Sequence, residues 1–183
     1  MPAPISGATM NSQSCSTACG FFAYPTIAGP IERSGFTEVP VMLMPNSIHE
    51  GGCACGAVRF QARGEPYRLG ICHCLTCRKA HGAPFNLFAV FPAEAIAVTG
   101  DTIEFVSSKH ARRYSCRTCG SQVYSKYGRQ EEFYLYPGSF DEIGLFRPSY
   151  ELWTTRREPW LQEFPGVVSR YEESRPKWRR TEP

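Results

Sequence analysis

The chain has 183 residues, of which 42% are hydrophobic, within the range of one domain with a substantial core. Twenty basic against 17 acidic side chains leave a net charge of +3, and much of the excess lies in the tail from Arg175 to Arg180, so there is no basis for a nucleic-acid groove. No run approaches the ~20 apolar residues of a membrane-spanning helix, and the first twenty residues lack a basic start followed by a hydrophobic stretch, so a soluble, unsecreted, cytoplasmic protein is predicted.

Residues 1–46 are rich in Pro, Gly, Ser and Thr without a sustained period, which predicts a flexible extension; Cys15 and Cys19 lie within it and read as incidental thiols. Met42 and Met44 stand just before the ordered-looking part, so the extension reads either as a functional arm or as an over-long gene start. Residues 47–165 change to short apolar or alternating runs, such as Ala57 to Phe60, Leu87 to Phe91, Thr102 to Val106 and Phe133 to Tyr136. Their β-branched and aromatic content, and breaks at Gly64-Glu65-Pro66 and Gly100-Asp101, predict a mainly antiparallel all-β domain. Thr76 to Ala80 and Pro92 to Ala97 read as short helical stretches, too short to form a layer. Residues 166–183 read as a charged, poorly ordered tail.

In a reducing compartment, nine cysteines are metal ligands or catalytic thiols before they are disulfides. Seven fall in three groups: Cys53 and Cys55; Cys72, Cys74 and Cys77; and Cys116 and Cys119. A tetrahedral zinc ion needs sulfurs ~2.3 Å from the metal, and a knuckle-like turn presents two at once. Gly56 and Gly120, each directly after a pair, permit the tight backbone of such turns. A closed structural site takes four ligands, so pairing Cys53 and Cys55 with Cys116 and Cys119 leaves Cys72, Cys74 and Cys77 as a triplet with an open, catalytic position. A second division builds one four-cysteine site from the triplet plus another residue, with the rest free or joined by His73 or His81. An iron–sulfur cluster and simple buried cysteines are further readings, neither of which accounts well for seven in three clusters.

Residues Gly51 to Trp160 resemble the glutathione-dependent formaldehyde-activating enzyme family, which also includes centromere protein V. The resemblance rests on Gly52-Cys53-Ala54-Cys55-Gly56, on Cys72-His73-Cys74-Leu75-Thr76-Cys77-Arg78-Lys79 leading into Gly82-Ala83-Pro84-Phe85, and on Ser107-Ser108, Arg113 to Ser121 and Pro137-Gly138-Ser139-Phe140-Asp141. It implies zinc-stapled antiparallel sheets in a β-tent fold. It also implies two zinc ions per chain, a structural one on Cys53, Cys55, Cys116 and Cys119 and a catalytic one on Cys72, Cys74 and Cys77. The extension and the basic tail depart from the pattern.

Three thiolates on a divalent zinc leave a net charge of −1, which suits holding a substrate thiol as thiolate better than activating water. The expected function is a carbon–sulfur lyase acting on a thiol–aldehyde adduct such as S-(hydroxymethyl)glutathione; the alternative is a non-catalytic zinc-binding interaction module. Cysteine redox catalysis would have only Cys15 and Cys19 left for it. Glutathione carboxylates need cationic partners, for which Arg78, Lys79, Arg112, Arg113, Arg156 and Arg157 are candidates, Arg78 foremost because it adjoins the triplet. His73 and His81 are candidates for a proton shuttle, and Phe85, Phe88, Trp153 and Trp160 for pocket walls, each against an ordinary packing role.

Overall fold

The computed structural model describes residues 47–128 and 132–175. The expectation of a flexible extension, with Cys15 and Cys19, lies outside the described residues.

The domain is predominantly β. Three strands, β1 (Ile48–Gly52), β2 (Arg59–Arg63) and a later β5 (Ile96–Thr99), form a small antiparallel sheet in the order β1-β2-β5. The remaining eight form a second sheet. They are β3 (Arg68–Cys72), β4 (Asn86–Phe91), β6 (Thr102–Ser108), β7 (Ala111–Cys116), β8 (Gln122–Tyr127), β9 (Glu132–Leu135), β10 (Tyr150–Leu152) and β11 (Ser169–Tyr171). Their order is β11-β10-β3-β4-β9-β8-β7-β6.

Period-two alternation explains how this larger sheet divides the core. Successive side chains of a strand point to opposite faces. Along β4, Ala89 and Phe91 join Val58, Phe60, Leu69 and Leu135 in one apolar cluster, which also contains Cys53 and Cys116. Phe88 and Val90 join Tyr134, Tyr150 and Leu152 in a second, which contains Cys72. The two cysteine groups are thereby assigned to opposite faces of the same sheet. A buried ion pair, Arg68 to Glu132 at 2.7 Å, adds a link between β3 and β9, with the Tyr134 hydroxyl 3.1 Å from the same guanidinium nitrogen.

The domain is mainly antiparallel, as expected, with parallel pairing confined to β10, which runs parallel to both β3 and β11. One feature differs from the sequence-based expectation. The stretch read as a poorly ordered tail contributes β11, whose three residues pair with Tyr150 to Leu152. The short helix expected at Thr76 to Ala80 is present as α1 (Leu75–His81), capped at its end by Gly82 in the left-handed conformation. Only Ala93–Ala95 of the second stretch is helical, as a single 3-10 turn before β5. No helix among the described residues is long and apolar enough to cross a membrane.

Candidate metal centres and the cavity between β3, β7 and β10

The two knuckles that carry the first cysteine group are shaped by their glycines. Gly56 and Gly120 have φ of 77° and 74°, a region costly for residues with a Cβ. Their N–H groups donate to the carbonyls of Cys53 and Cys116, closing each turn around its pair. The four sulfurs of Cys53, Cys55, Cys116 and Cys119 lie within 4.8 Å of one another. Cys53 Sγ is 3.5 Å from Cys55 Sγ, which is 3.8 Å from Cys116 Sγ. A tetrahedron with ~2.3 Å metal–sulfur bonds has edges of ~3.8 Å, so this cage fits one thiolate-bound ion.

Amides and a hydroxyl surround the cage as thiolates require. The Val58 N–H reaches Cys53 Sγ at 3.2 Å and the Thr118 N–H reaches Cys116 Sγ at 3.4 Å. The Ser121 hydroxyl, 3.3 Å from Cys119 Sγ, and the Ser121 amide pull that thiol down to about 5, favouring the ionised form a metal needs.

The second group arises where β3 ends and α1 begins. Cys72 is the last residue of β3, Cys74 is the N-cap of α1 with its sulfur accepting from the Cys77 N–H at 3.4 Å, and Cys77 lies in the first turn. Their three sulfurs also lie within 4.8 Å of one another, with no fourth His, Cys, Asp or Glu in the group among the described residues. The sulfurs share charge unevenly: hydrogen bonds from Cys72 and Cys77 push Cys74 strongly down, and the bond to Cys74 pushes Cys72 up. Such a cluster fits three ligands of a metal ion.

All three thiols line a cavity of about 320 Å³. Phe88 and Tyr134 supply apolar wall, Trp153 and Arg156 stand along another part, and Tyr127, Ser107, Ser108 and Ser125 bring hydroxyls. Arg113 is buried beneath the cluster, with Nη2 3.4 Å from Cys77 Sγ and Nη1 3.4 Å from His81 Nε2. The positive charge faces three sulfurs that would carry negative charge when ligated. Trp153 and Arg156 stack, with the guanidinium carbon 4.9 Å from the ring centroid.

Several sequence-based candidates lie elsewhere. Arg78 does not line the cavity: its guanidinium pairs with Glu158 and donates to the Arg156 carbonyl at 3.1 Å, so it braces the turn that carries Arg156. Lys79 is exposed on α1, Arg112 pairs with Glu104 at 2.8 Å, and Arg157 bonds to Glu151 and to two loop carbonyls. His73 alternates away from its flanking ligands and is fully buried, with Nε2 4.0 Å from a fully buried Glu151. His81 packs on Tyr136 behind the cluster, and burial together with Arg113 lowers its pKa to about 4. Neither histidine lines the cavity. Of the four aromatic candidates, Phe88 and Trp153 line it, whereas Phe85 packs on Phe164 and Trp160 is exposed. Tyr127 and Tyr134 were not signalled by the sequence, because their spacing from the cysteines is set by strand pairing across the sheet.

Comparison with known proteins agrees with these motifs. Residues 48–156 match the family model described as glutathione-dependent formaldehyde-activating enzyme. An uncharacterized lyase of Schizosaccharomyces pombe is 33% identical over 79 residues, 43% of this chain and 58% of its own length. Putative glutathione-dependent formaldehyde-activating enzymes of Podospora anserina and Penicillium rubens are 35% and 26% identical, over 34% and 54% of this chain and 31% and 55% of theirs. The chain thus spans about a third to somewhat over half of the length of these relatives. A crystal structure of a Rhodobacter sphaeroides protein aligns over 52% of this chain and 91% of its own at 22% identity, with a TM-score of 0.41 that carries no weight here. With the family model covering more than half of its residues, the chain belongs to the glutathione-dependent formaldehyde-activating enzyme family.

Proposed function

We propose that the protein is a zinc-dependent carbon–sulfur lyase that makes or breaks the bond between a thiol and a small aldehyde, with S-(hydroxymethyl)glutathione as the adduct. The observation that carries this reading is a cluster of three thiols in the wall of a cavity, with a buried cation beside it and no fourth side-chain ligand among the described residues. Two zinc ions per chain follow, a closed structural one on Cys53, Cys55, Cys116 and Cys119 and an open one on Cys72, Cys74 and Cys77. The names of the fungal relatives point to the same reaction class. The cysteine content suits the reducing cytoplasm.

When bound, the second zinc supplies one thing: it holds the sulfur of an incoming thiol deprotonated at neutral pH. The rest falls to the side chains. Arg113 offsets the negative charge of the thiolates and acts against the net rise of the Cys77 pKa caused by Cys74 and burial. Tyr127 keeps its proton at neutral pH, because burial and then the neighbouring thiols raise its pKa. Its hydroxyl can therefore donate a hydrogen bond to the aldehyde oxygen as the S–C bond forms and that oxygen gains the proton given up by the thiol. In the reverse direction the S–C bond breaks, the sulfur keeps the electron pair and the hydroxyl proton leaves with formation of the C=O bond. Phe88 and Tyr134 limit water around the reacting carbon, and Arg156 offers a cation to a substrate carboxylate.

Thiols add to formaldehyde without a catalyst, so the test is exchange measured against that background. NMR exchange spectroscopy on glutathione and formaldehyde should show interconversion with S-(hydroxymethyl)glutathione accelerated by metal-replete protein and returned to the spontaneous rate by Cys74→Ala. No acceleration by the metal-replete wild type would contradict the lyase reading and leave a non-catalytic zinc-binding module.

A further inference from the structure

The stretch that matches the family ends at Arg156, but the walls of the cavity continue past it. Ser174 lines the same cavity as Cys72, Cys74 and Cys77. It is held there by a segment fastened on both sides. β11 pairs in parallel with β10, Leu152 opposite Tyr171. Beyond it, the hydroxyls of Thr154 and Thr155 donate to the carbonyls of Tyr171 and Glu172 at 3.2 and 3.1 Å. Arg175 closes the segment, buried with its guanidinium carbon 5.0 Å from the centroid of the Tyr150 ring.

The same segment fixes the backbone of a cavity residue. Trp153 has φ 59° and ψ 43°, the one non-glycine residue with positive φ among those described. A bulky residue persists in that region only where its surroundings enforce it, and such strain gathers at ligand sites. The Trp153 N–H donates to the Glu173 carbonyl at 3.1 Å. Trp153 in turn stacks with Arg156, so the placement of both residues depends on a segment outside the family-matched stretch.

We infer that residues 171–175 form a specificity-determining wall of the cavity, acting directly through Ser174 and by positioning Trp153 and Arg156, and that they select a carboxylate-bearing thiol of peptide size over a simple one. This inference rests on the thiol chemistry proposed above. The cavity volume of about 320 Å³ falls at the small end of ligand sites, ~300–1,000 Å³, so one bulky side chain at Ser174 would remove a large share of it. The catalytic thiols reach only the sulfur end of a substrate; discrimination must come from contacts remote from it.

The test compares glutathione with 2-mercaptoethanol by calorimetry on the full-length, zinc-loaded protein. Ser174 is exposed, so Ser174→Trp can be made without disturbing the core. It should raise the Kd for glutathione about tenfold more than that for 2-mercaptoethanol, with zinc content unchanged. Arg175→Ala, which frees the end of the segment without adding bulk, should lower the preference of the wild type for glutathione. Equal changes for both thiols in both variants, or no change in either, would overturn the inference while leaving thiol binding intact. A wild type that binds neither thiol would overturn the proposed function, and the inference with it.

Discussion

Arg113 holds Cys77 and His81 together: one guanidinium nitrogen lies 3.4 Å from Cys77 Sγ and the other 3.4 Å from His81 Nε2. The arginine is buried, so its charge acts on the thiolates with little screening by water. Arg113→Met should preserve much of the packing and remove the charge. The expected result is a loss of affinity of about 10- to 100-fold for zinc at the three-cysteine site, with the four-cysteine site unaffected. Chelator competition, read as two separate zinc release steps, checks this.

The two cysteine groups should differ in what their loss does. Cys53 and Cys55 join Cys116 and Cys119 across more than sixty residues of chain, so a metal there contributes to folding itself. Cys116→Ala should leave the protein without a cooperative thermal transition. Cys74 links only the end of β3 to the start of α1. Cys74→Ala should fold, carry about half the zinc and have lost thiol exchange. Circular dichroism with metal analysis distinguishes the two outcomes.

His81 predicts a direction of pH dependence. Its folded pKa is lowered to about 4 from the ordinary 6.5 by burial and then by the Arg113 charge. Above pH 6.5 the imidazole is neutral in both folded and unfolded chains. Below it the unfolded chain takes up a proton that the folded one refuses, so stability falls as pH drops toward 4. His81→Gln should therefore lose less stability than the wild type between pH 7 and pH 5. Denaturant unfolding of both proteins at several pH values, with bound zinc measured at each, reads the difference at equal zinc content.

The cysteine groups were legible in the sequence because knuckle geometry is local: two or three residues and a glycine define each turn, and Gly56 and Gly120 have the positive φ that their positions imply. The longer strands were legible through period and composition, as at Thr102 to Val106. Other features depend on distances that chain order does not contain. Arg78 follows Cys77 directly, but one helical step of α1 turns it toward Glu158 rather than into the cavity. His73 lies between two candidate ligands, but alternation at the end of β3 sends it to Glu151. Arg113 lies three residues before Cys116, so alternation along β7 turns it to the opposite face, against Cys77, a residue 36 positions away in the chain. β10 and β11, three residues each, are too short for a periodic signal, which is why the segment that carries Ser174 read as a tail.

The central claim is that Cys72, Cys74 and Cys77 hold a metal that accepts a substrate thiol. Replacing zinc by cobalt gives the site a visible thiolate charge-transfer band, and titration with glutathione tests the claim most directly. The account predicts a saturable rise in that band, absent in Cys74→Ala and present at lower thiol concentration for glutathione than for 2-mercaptoethanol. A cobalt spectrum unchanged by either thiol would contradict it.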